Sequence, residues 1–506
     1  MTEKPLAGRR EWAGLAVLAL TTLLMSLDVS VLYLALPHLS AELGADGTQQ
    51  LWIMDIYSFM IAGFLVTMGT LGDRIGRRRL LLVGAAAFGA ASVLAAYSTS
   101  PEMLIAARAL LGVSGATLMP SSMALIRTMF HDQRQLTSAM SLWFSCFMVG
   151  VALGPLVGGA LLEHFWWGSA FLLGVPFMVA LLILGPVLLP EYRAEGAGRL
   201  DLASVALSLL TILPLVYGLK SIARDGLGAM ALLALAIGAA FGVLFVKRQL
   251  KLSDPLLDLR LFAVRGVSAM LVMMLLGGIV MAGTTLVSTT YLQAVEGLTP
   301  LQAGLWMVPQ SIVMIIAMMV APALAQRFRT AYVMAAGLAV GAVGLLMHTQ
   351  VEVEGGLGLL VVGLALISGG IAMPMGLSNG LIMGSIPPEK AGSTAALSET
   401  GGEFGVAMGV AALGALSTAV YQSNLDVPPG VPAEAASAAY DSVAAAAVAG
   451  AQAGDAGSAL IDAAREAFAA GLNTVAWVSA PIFLALAVLA LVAFRERRAA
   501  RILEAV

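Results

Sequence analysis

Charge is scarce in this sequence. Only 11% of its 506 residues are Asp, Glu, Lys or Arg, against about 25% in a soluble domain, which excludes a soluble globular protein of this length. Cysteine is all but missing: Cys146 stands alone, so no disulfide forms within the chain. The four histidines, His38, His131, His164 and His348, are scattered, which leaves no thiol or imidazole cluster for zinc or redox chemistry and no His/acid dyad for a membrane enzyme. There is no phosphate-binding glycine loop either, so no nucleotide, metal or other cofactor is expected. A net charge of −3 without a basic tail argues against nucleic acid as a partner. What the chain has in quantity is apolar surface, 59% of its residues. In runs of about 20 residues this predicts an all-α polytopic membrane protein.

Those runs place spans near 13–37, 49–70, 79–98, 102–126, 136–162, 168–189, 202–222 and 228–247, then near 266–291, 301–323, 330–349, 357–383, 393–421 and 471–495. Fourteen transmembrane helices are therefore expected. The first run follows Lys4, Arg9 and Arg10 and continues to about Pro37, too long for the apolar core of a cleavable signal, about 7–15 residues. With the N-terminus inside, all of the 27 Lys and Arg fall in cytoplasmic segments except Lys220, Arg224, Arg465 and the intramembrane Arg108. That asymmetry supports the count and cytoplasmic termini. The expected organisation is an N-terminal six-helix bundle over 1–190, a two-helix insert and linker over 191–265, and a C-terminal six-helix bundle over 266–506, a 6+2+6 order. The long outward loop at 422–470 opens on SNLDVPPGVP and turns Ala-rich. It reads either as an external hairpin of two weak amphipathic helices or as a disordered linker.

Several stretches carry a pattern. Gly69–Leu81, GTLGDRIGRRRLL, is a compact basic turn in which Gly72 and Gly76 permit tight backbone geometry, and Asp73, Arg74, Arg77 and Arg78 offer charge-assisted bonds to helix ends. LDVSVLYLALP runs from Leu27 to Pro37, and RALLGVSGA from Arg108 to Ala116. In GVALGPLVGG, Gly150, Gly154 and Gly158 recur every four residues, beside Pro155 and Gly159. One helix face there is bare of side chains, open to close approach by a neighbour, and the proline bends the helix. Static packing and a rocking contact both fit that spacing. A glycine-rich SETGGEFGVAMGVAALG lies in the thirteenth run.

Together these segments resemble the signatures of the major facilitator superfamily of secondary transporters. The Gly150–Gly159 stretch resembles its antiporter motif, and the order of motifs is similar to the fourteen-span drug:proton antiporters of the quaternary-ammonium and methyl-viologen resistance type. Two departures are Leu111, where that family often has glutamine, and Ser204 after Asp201, where it favours glycine. The resemblance implies the facilitator fold and a multi-pass protein of the cell inner membrane. It also implies proton-coupled efflux of lipophilic cations such as quaternary ammonium compounds, dyes and biguanides, and the Gly69–Leu81 loop as a conformational gate latching two bundles. Export of an endogenous metabolite or antibiotic uses the same motifs; a lipid flippase or membrane enzyme is the remote alternative.

Ionisable residues inside apolar runs are the sharpest signal, since each costs at least about 2.5–3.5 kcal/mol at a helix centre. They are Asp28, Asp55, Arg108, Glu399 and Glu403. Asp28 lies deep, where protonation relieves the cost of burying a carboxylate; a proton and a lipophilic cation then compete for one charge. Glu399 and Glu403 share a helix face, with Glu399 close enough to a span end to be hydrated. Arg108 either modulates an acid or pairs with one structurally. Asp55 falls near the outer end of its span and reads as a wet residue or a cavity group. Trp52, Tyr57, Trp143, Phe144, Tyr291 and Trp306, with 27 methionines in the chain, are candidates for a polyspecific cavity wall that attracts cations through aromatic faces, although each taken singly also fits a lipid-facing position. Protons, small lipophilic cations and the bilayer are the expected partners of a monomer.

Overall fold

In a computed structural model, residues 6–193, 201–225, 228–252, 264–383, 391–452 and 456–494 are described, and the regular structure among them is helical. Local chemistry sets the helix ends. Helix α1 (Arg9–Leu43) stops at Gly44, which adopts φ 67° in the left-handed region. Helix α2 (Gly47–Ile75) opens on a reciprocal cap: Asp46 accepts from Gln49 N at 2.8 Å and Gln49 Oε1 accepts from Asp46 N at 3.0 Å. Helix α3 is Arg77–Ala96, and α4 (Pro101–Met129) combines a Ser100 cap with proline in its first turn. Helices α5 (Gln133–His164), α6 (Ser169–Leu172), α7 (Val175–Leu188), α8 (Leu202–Asp225) and α9 (Ala229–Lys251) follow. Then come α10 (Arg265–Thr290) with a π-helical turn at Tyr291–Val295, α11 (Pro300–Arg327), α12 (Thr330–His348), α13 (Leu357–Met383) and α14 (Ala391–Asn424). The last described helices are α15 (Ala433–Asp441), α16 (Val443–Gln452) and α17 (Gly457–Ala493).

The fourteen-span, 6+2+6 expectation is corrected here. Among the described residues twelve helices are long and apolar enough to cross a membrane, or thirteen when the bent α2 is taken as one span. In α2 the segments Gly47–Leu65 and Thr67–Ile75 meet at 50°. In α8 the apolar part is Ala203–Leu215, about 20 Å at helical rise and short of the roughly 30 Å hydrocarbon core. The helix runs on to Asp225, but Lys220 and Arg224 lie in that extension.

The chain forms two compact units. The first comprises Met1–Pro214, Ile237–Leu256 and Thr299–Leu305; the second comprises Leu215–Ala236, Leu257–Leu298 and Trp306–Val506. In the first, α1 packs on α5, α2 on α4, and α3 on α4 and α7. In the second, α10 packs on α14, and α12 lies between α13 and α17. Its core gathers Met270, Met334, Leu338, Ile367, Phe483 and Leu486. Within 422–470 the chain forms α15, α16 and the first turns of α17. Tyr421 Oη donates to Ala439 O at 2.6 Å and Gln422 to Tyr440 O at 3.1 Å, tying this segment back to α14.

Candidate functional site

The first unit buries an ion pair. Asp28 on α1 is 8% exposed, and Arg108 and Asp55 are each 1% exposed. Arg108 Nη1 donates to Asp28 Oδ2 at 3.4 Å, Nε to Ile53 O at 3.1 Å and Nη2 to Met54 O at 3.4 Å. Its guanidinium carbon lies 4.6 Å from the centre of the Tyr57 ring, within cation–π range. Asp55, Tyr57 and Tyr33 all fall in its electrostatic reach. The glycines of R-x-x-x-G-x-x-G explain how α4 comes so near α2. A Cβ on Gly112 would collide with the Tyr57 backbone, and one on Gly115 would sit 3.3 Å from Tyr57 Oη. Small residues at those positions therefore let the arginine reach backbone carbonyls of the neighbouring helix.

Asp55 departs from the wet position its place in the span suggested. Its depth along α2 is modest, but it lies next to Ile53 and Met54, whose carbonyls accept from Arg108, and so is enclosed. Tyr33, within LDVSVLYLALP, is a member of the cluster that the sequence reading passed over. Of the aromatic candidates, Tyr57 is brought to the ion pair. Trp143 is 1% exposed and packs edge-on against Phe144 at 5.1 Å. Trp52 is half-buried on α2. In the second unit, Tyr291 is fully buried and its hydroxyl donates to Glu352 O and to Glu296 Oε1, which fastens loop ends together. Trp306 is 43% exposed. Glu403 is half-buried on α14; the side chain of Glu399 lies outside the described residues.

The basic loop is held by a residue the motif does not contain. Between α2 and α3, Gly76 takes φ 112°, a conformation that favours glycine, and a Cβ there would strike the Glu191 carboxylate. Arg78 N donates to Glu191 Oε1 at 3.2 Å, Arg78 Nη1 to Pro186 O and Leu189 O at 3.1 and 3.0 Å, and Arg77 N to Tyr192 O at 2.9 Å. Arg77 also pairs with Asp73 at 2.6 Å; Gly72 is buried against the Arg77 stem, and Arg74 is exposed. These partners all belong to the first unit: Asp73 on α2, and Pro186, Leu189, Glu191 and Tyr192 at or just past the end of α7.

The glycine stripe of α5 lies on α1. A Cβ on Gly150 would overlap Ser26, one on Gly154 would overlap Ser30, and one on Gly158 would come within 2.9 Å of Val31. A Cβ on Gly159 would come within 2.6 Å of the Pro300 carbonyl oxygen and Leu301 Cα, and one on Gly304 would strike the Pro155 carbonyl.

Residues 18–410 match the Major Facilitator Superfamily. The chain belongs to that superfamily. It is 44% identical to the multidrug efflux pump LfrA of Mycolicibacterium smegmatis, over 96% of this chain and 97% of LfrA. It is 36% identical to the methyl viologen resistance protein SmvA of Salmonella typhimurium, over 91% and 93% of the two chains. A solved bacterial homologue of the human lysosomal transporter Spinster matches its fold with a TM-score of 0.69 at 15% identity, covering 97% of this chain and 98% of the other. The ion pair is thus set in a multi-pass transporter of this superfamily, not in an enzyme.

A second polar cluster joins α8 to α9. Asp201 accepts from Arg248 through both oxygens, at 2.7 Å from Nη2 and 3.1 Å from Nε, and caps α8 through Ser204 N at 3.2 Å. Ser204 Oγ donates to the same carboxylate and accepts from Gln249 Nε2 at 2.6 Å. The Arg248 hydrogen bonds, foremost, hold the Asp201 carboxyl down at about 2.

Proposed function

We propose that this superfamily member is a proton-driven multidrug efflux antiporter that exports lipophilic cations. The observation that carries the reading is the 44% identity to a multidrug efflux pump along nearly the whole of both chains. The buried Asp28–Arg108 pair supports it. A carboxylate in a low-dielectric bundle is stabilised either by a proton or by a cation that has shed its water, so the two exclude each other and antiport needs no covalent step. Asp28 is the leading acid, with Glu399 and Glu403 as further candidates, and Asp55 and Tyr57 complete the cation's surroundings. The chain resides in the cytoplasmic membrane with both termini inside and works as a monomer. Alternating access moves residues 1–190 against 266–506, with the Gly72–Arg78 loop as gate.

Ethidium efflux from energised vesicles tests this: it is expected to stop when the proton gradient is collapsed, and efflux that persists refutes the antiport reading. The export of a host-made antibiotic is a second reading, because the tetracenomycin C resistance and export protein of Streptomyces glaucescens is 30% identical over 80% of this chain. A resistance panel of cationic, neutral and anionic compounds in a pump-deficient host separates the two. Resistance confined to cations supports the first.

A further inference from the structure

Helix α9 is the least buried of the apolar helices among the described residues, with 17% of its apolar window covered by protein. Its exposed face has a definite profile. Val243 and Leu244 project as exposed apolar side chains, and Lys247 and Lys251 follow them, exposed, toward the C-terminal end of the same face. These positions are three or four residues apart and therefore align along one side of the helix. Arg248, one position on from Lys247, borders this face but is engaged: its two bonds to Asp201, at 2.7 and 3.1 Å, tie α9 to α8. Gln249 is 2% exposed and adds its bond to Ser204 at 2.6 Å. The clasp thus engages Arg248 and leaves Lys247 and Lys251 as the exposed charges past the apolar pair.

We infer that this face of α9 binds an anionic phospholipid, with acyl chains along Val243 and Leu244 and the headgroup phosphate between Lys247 and Lys251. An apolar strip alone fits any lipid tail, and two lysines alone fit any anion; their succession along one fixed helix face complements a molecule carrying both parts in that order. The phosphate of a free anion meets the lysines but gains nothing from the strip.

The test is native mass spectrometry of the purified full-length protein in detergent, with phosphatidylglycerol and phosphatidylethanolamine of identical chains added in equal amounts. Wild type is expected to retain phosphatidylglycerol in preference. Lys247→Gln with Lys251→Gln is expected to bind it about 25-fold more weakly, from about five-fold per surface lysine. Lys247→Arg with Lys251→Arg keeps the charge and is expected to keep the preference. Both residues are exposed, so the variants are compared at matched elution volume and unfolding midpoint. Equal retention of the two lipids by wild type, or undiminished phosphatidylglycerol binding by the glutamine variant, overturns the site. Displacement of the lipid by equimolar inorganic phosphate overturns it as a lipid site and makes it one for a free anion.

Discussion

Replacing Asp28 by Asn keeps the side chain's shape and removes its charge, leaving Arg108 at 1% exposure. Stripping one partner from a buried ion pair commonly costs about 3–5 kcal/mol. Two features of this pair lower the figure. The 3.4 Å Nη1–Oδ2 separation is longer than the roughly 2.7–2.9 Å of a tight charge-assisted bond. Arg108 also keeps Ile53 O at 3.1 Å, Met54 O at 3.4 Å and the Tyr57 face at 4.6 Å. A cost of about 1–3 kcal/mol is therefore expected for Asp28→Asn. Arg108→Gln is expected to cost a similar amount, and the double variant less than the sum by about 1–2 kcal/mol. Unfolding of the purified protein in mixed micelles with increasing dodecyl sulfate measures the cycle, while ethidium efflux is followed in parallel. Asp28→Asn is expected to abolish efflux with insertion intact. Additivity within about 0.5 kcal/mol refutes energetic coupling of the pair. Wild-type efflux by Asp28→Asn refutes the transport role and leaves a structural one.

Gly158→Ala would place a Cβ 2.9 and 3.0 Å from the Val31 methyl carbons, an overpacking expected to cost about 1–3 kcal/mol; Val31→Ala in the same chain is expected to restore most of the unfolding midpoint, and a midpoint unmoved by Gly158→Ala removes the close-contact account. Asp201→Asn retains an N-cap but loses the bidentate pair, an expected loss of about 1–2 kcal/mol once the partly exposed Arg248 is discounted for solvent screening. Since folding lowers the carboxyl from 3.8 to about 2, its contribution is complete above the unfolded value and is lost as pH falls through about 2. The stability gap between wild type and Asp201→Asn should therefore be full at neutral pH and close in that acid window; a gap that persists there contradicts the assignment.

What was legible in the sequence was chemical type; what was not was azimuth. Asp28 and Arg108 announce themselves as charges inside apolar runs, and their cost in lipid already demands a partner. Asp55 has the same chemistry, but its position near a helix end says nothing about whether its face meets water or α4, and it meets α4. Glu191 carries no signal at all beyond following Pro190 after an apolar run, yet it holds the basic loop. Trp143 and Phe144 were legible as aromatics but not as partners of each other. The span count failed for a related reason. Averaging hydropathy over 202–222 passes across the end of the apolar stretch at Leu215, and averaging over 49–70 passes across the 50° bend in α2. Composition in a window does not record where a helix stops being apolar or straight.

The glycine stripe shows what the structure adds to a motif. Spacing of four residues along α5 fixes a bare face but not its neighbour. That neighbour is α1, and the contacts bracket the proposed proton site: Gly150 lies against Ser26 and Gly154 against Ser30, one on either side of Asp28 in the sequence. With no side chain on α5 at these positions, its backbone rests on the small side chains of the α1 turn that carries the acid. A shift of α5 along α1 would change how far that turn is covered, and with it the cost of a charge at Asp28. The glycine stripe and the carboxylate are therefore parts of one assembly, which is why Gly158→Ala is expected to slow efflux as well as to lower stability. Normal efflux from a destabilised Gly158→Ala protein would separate the two and confine the glycines to packing.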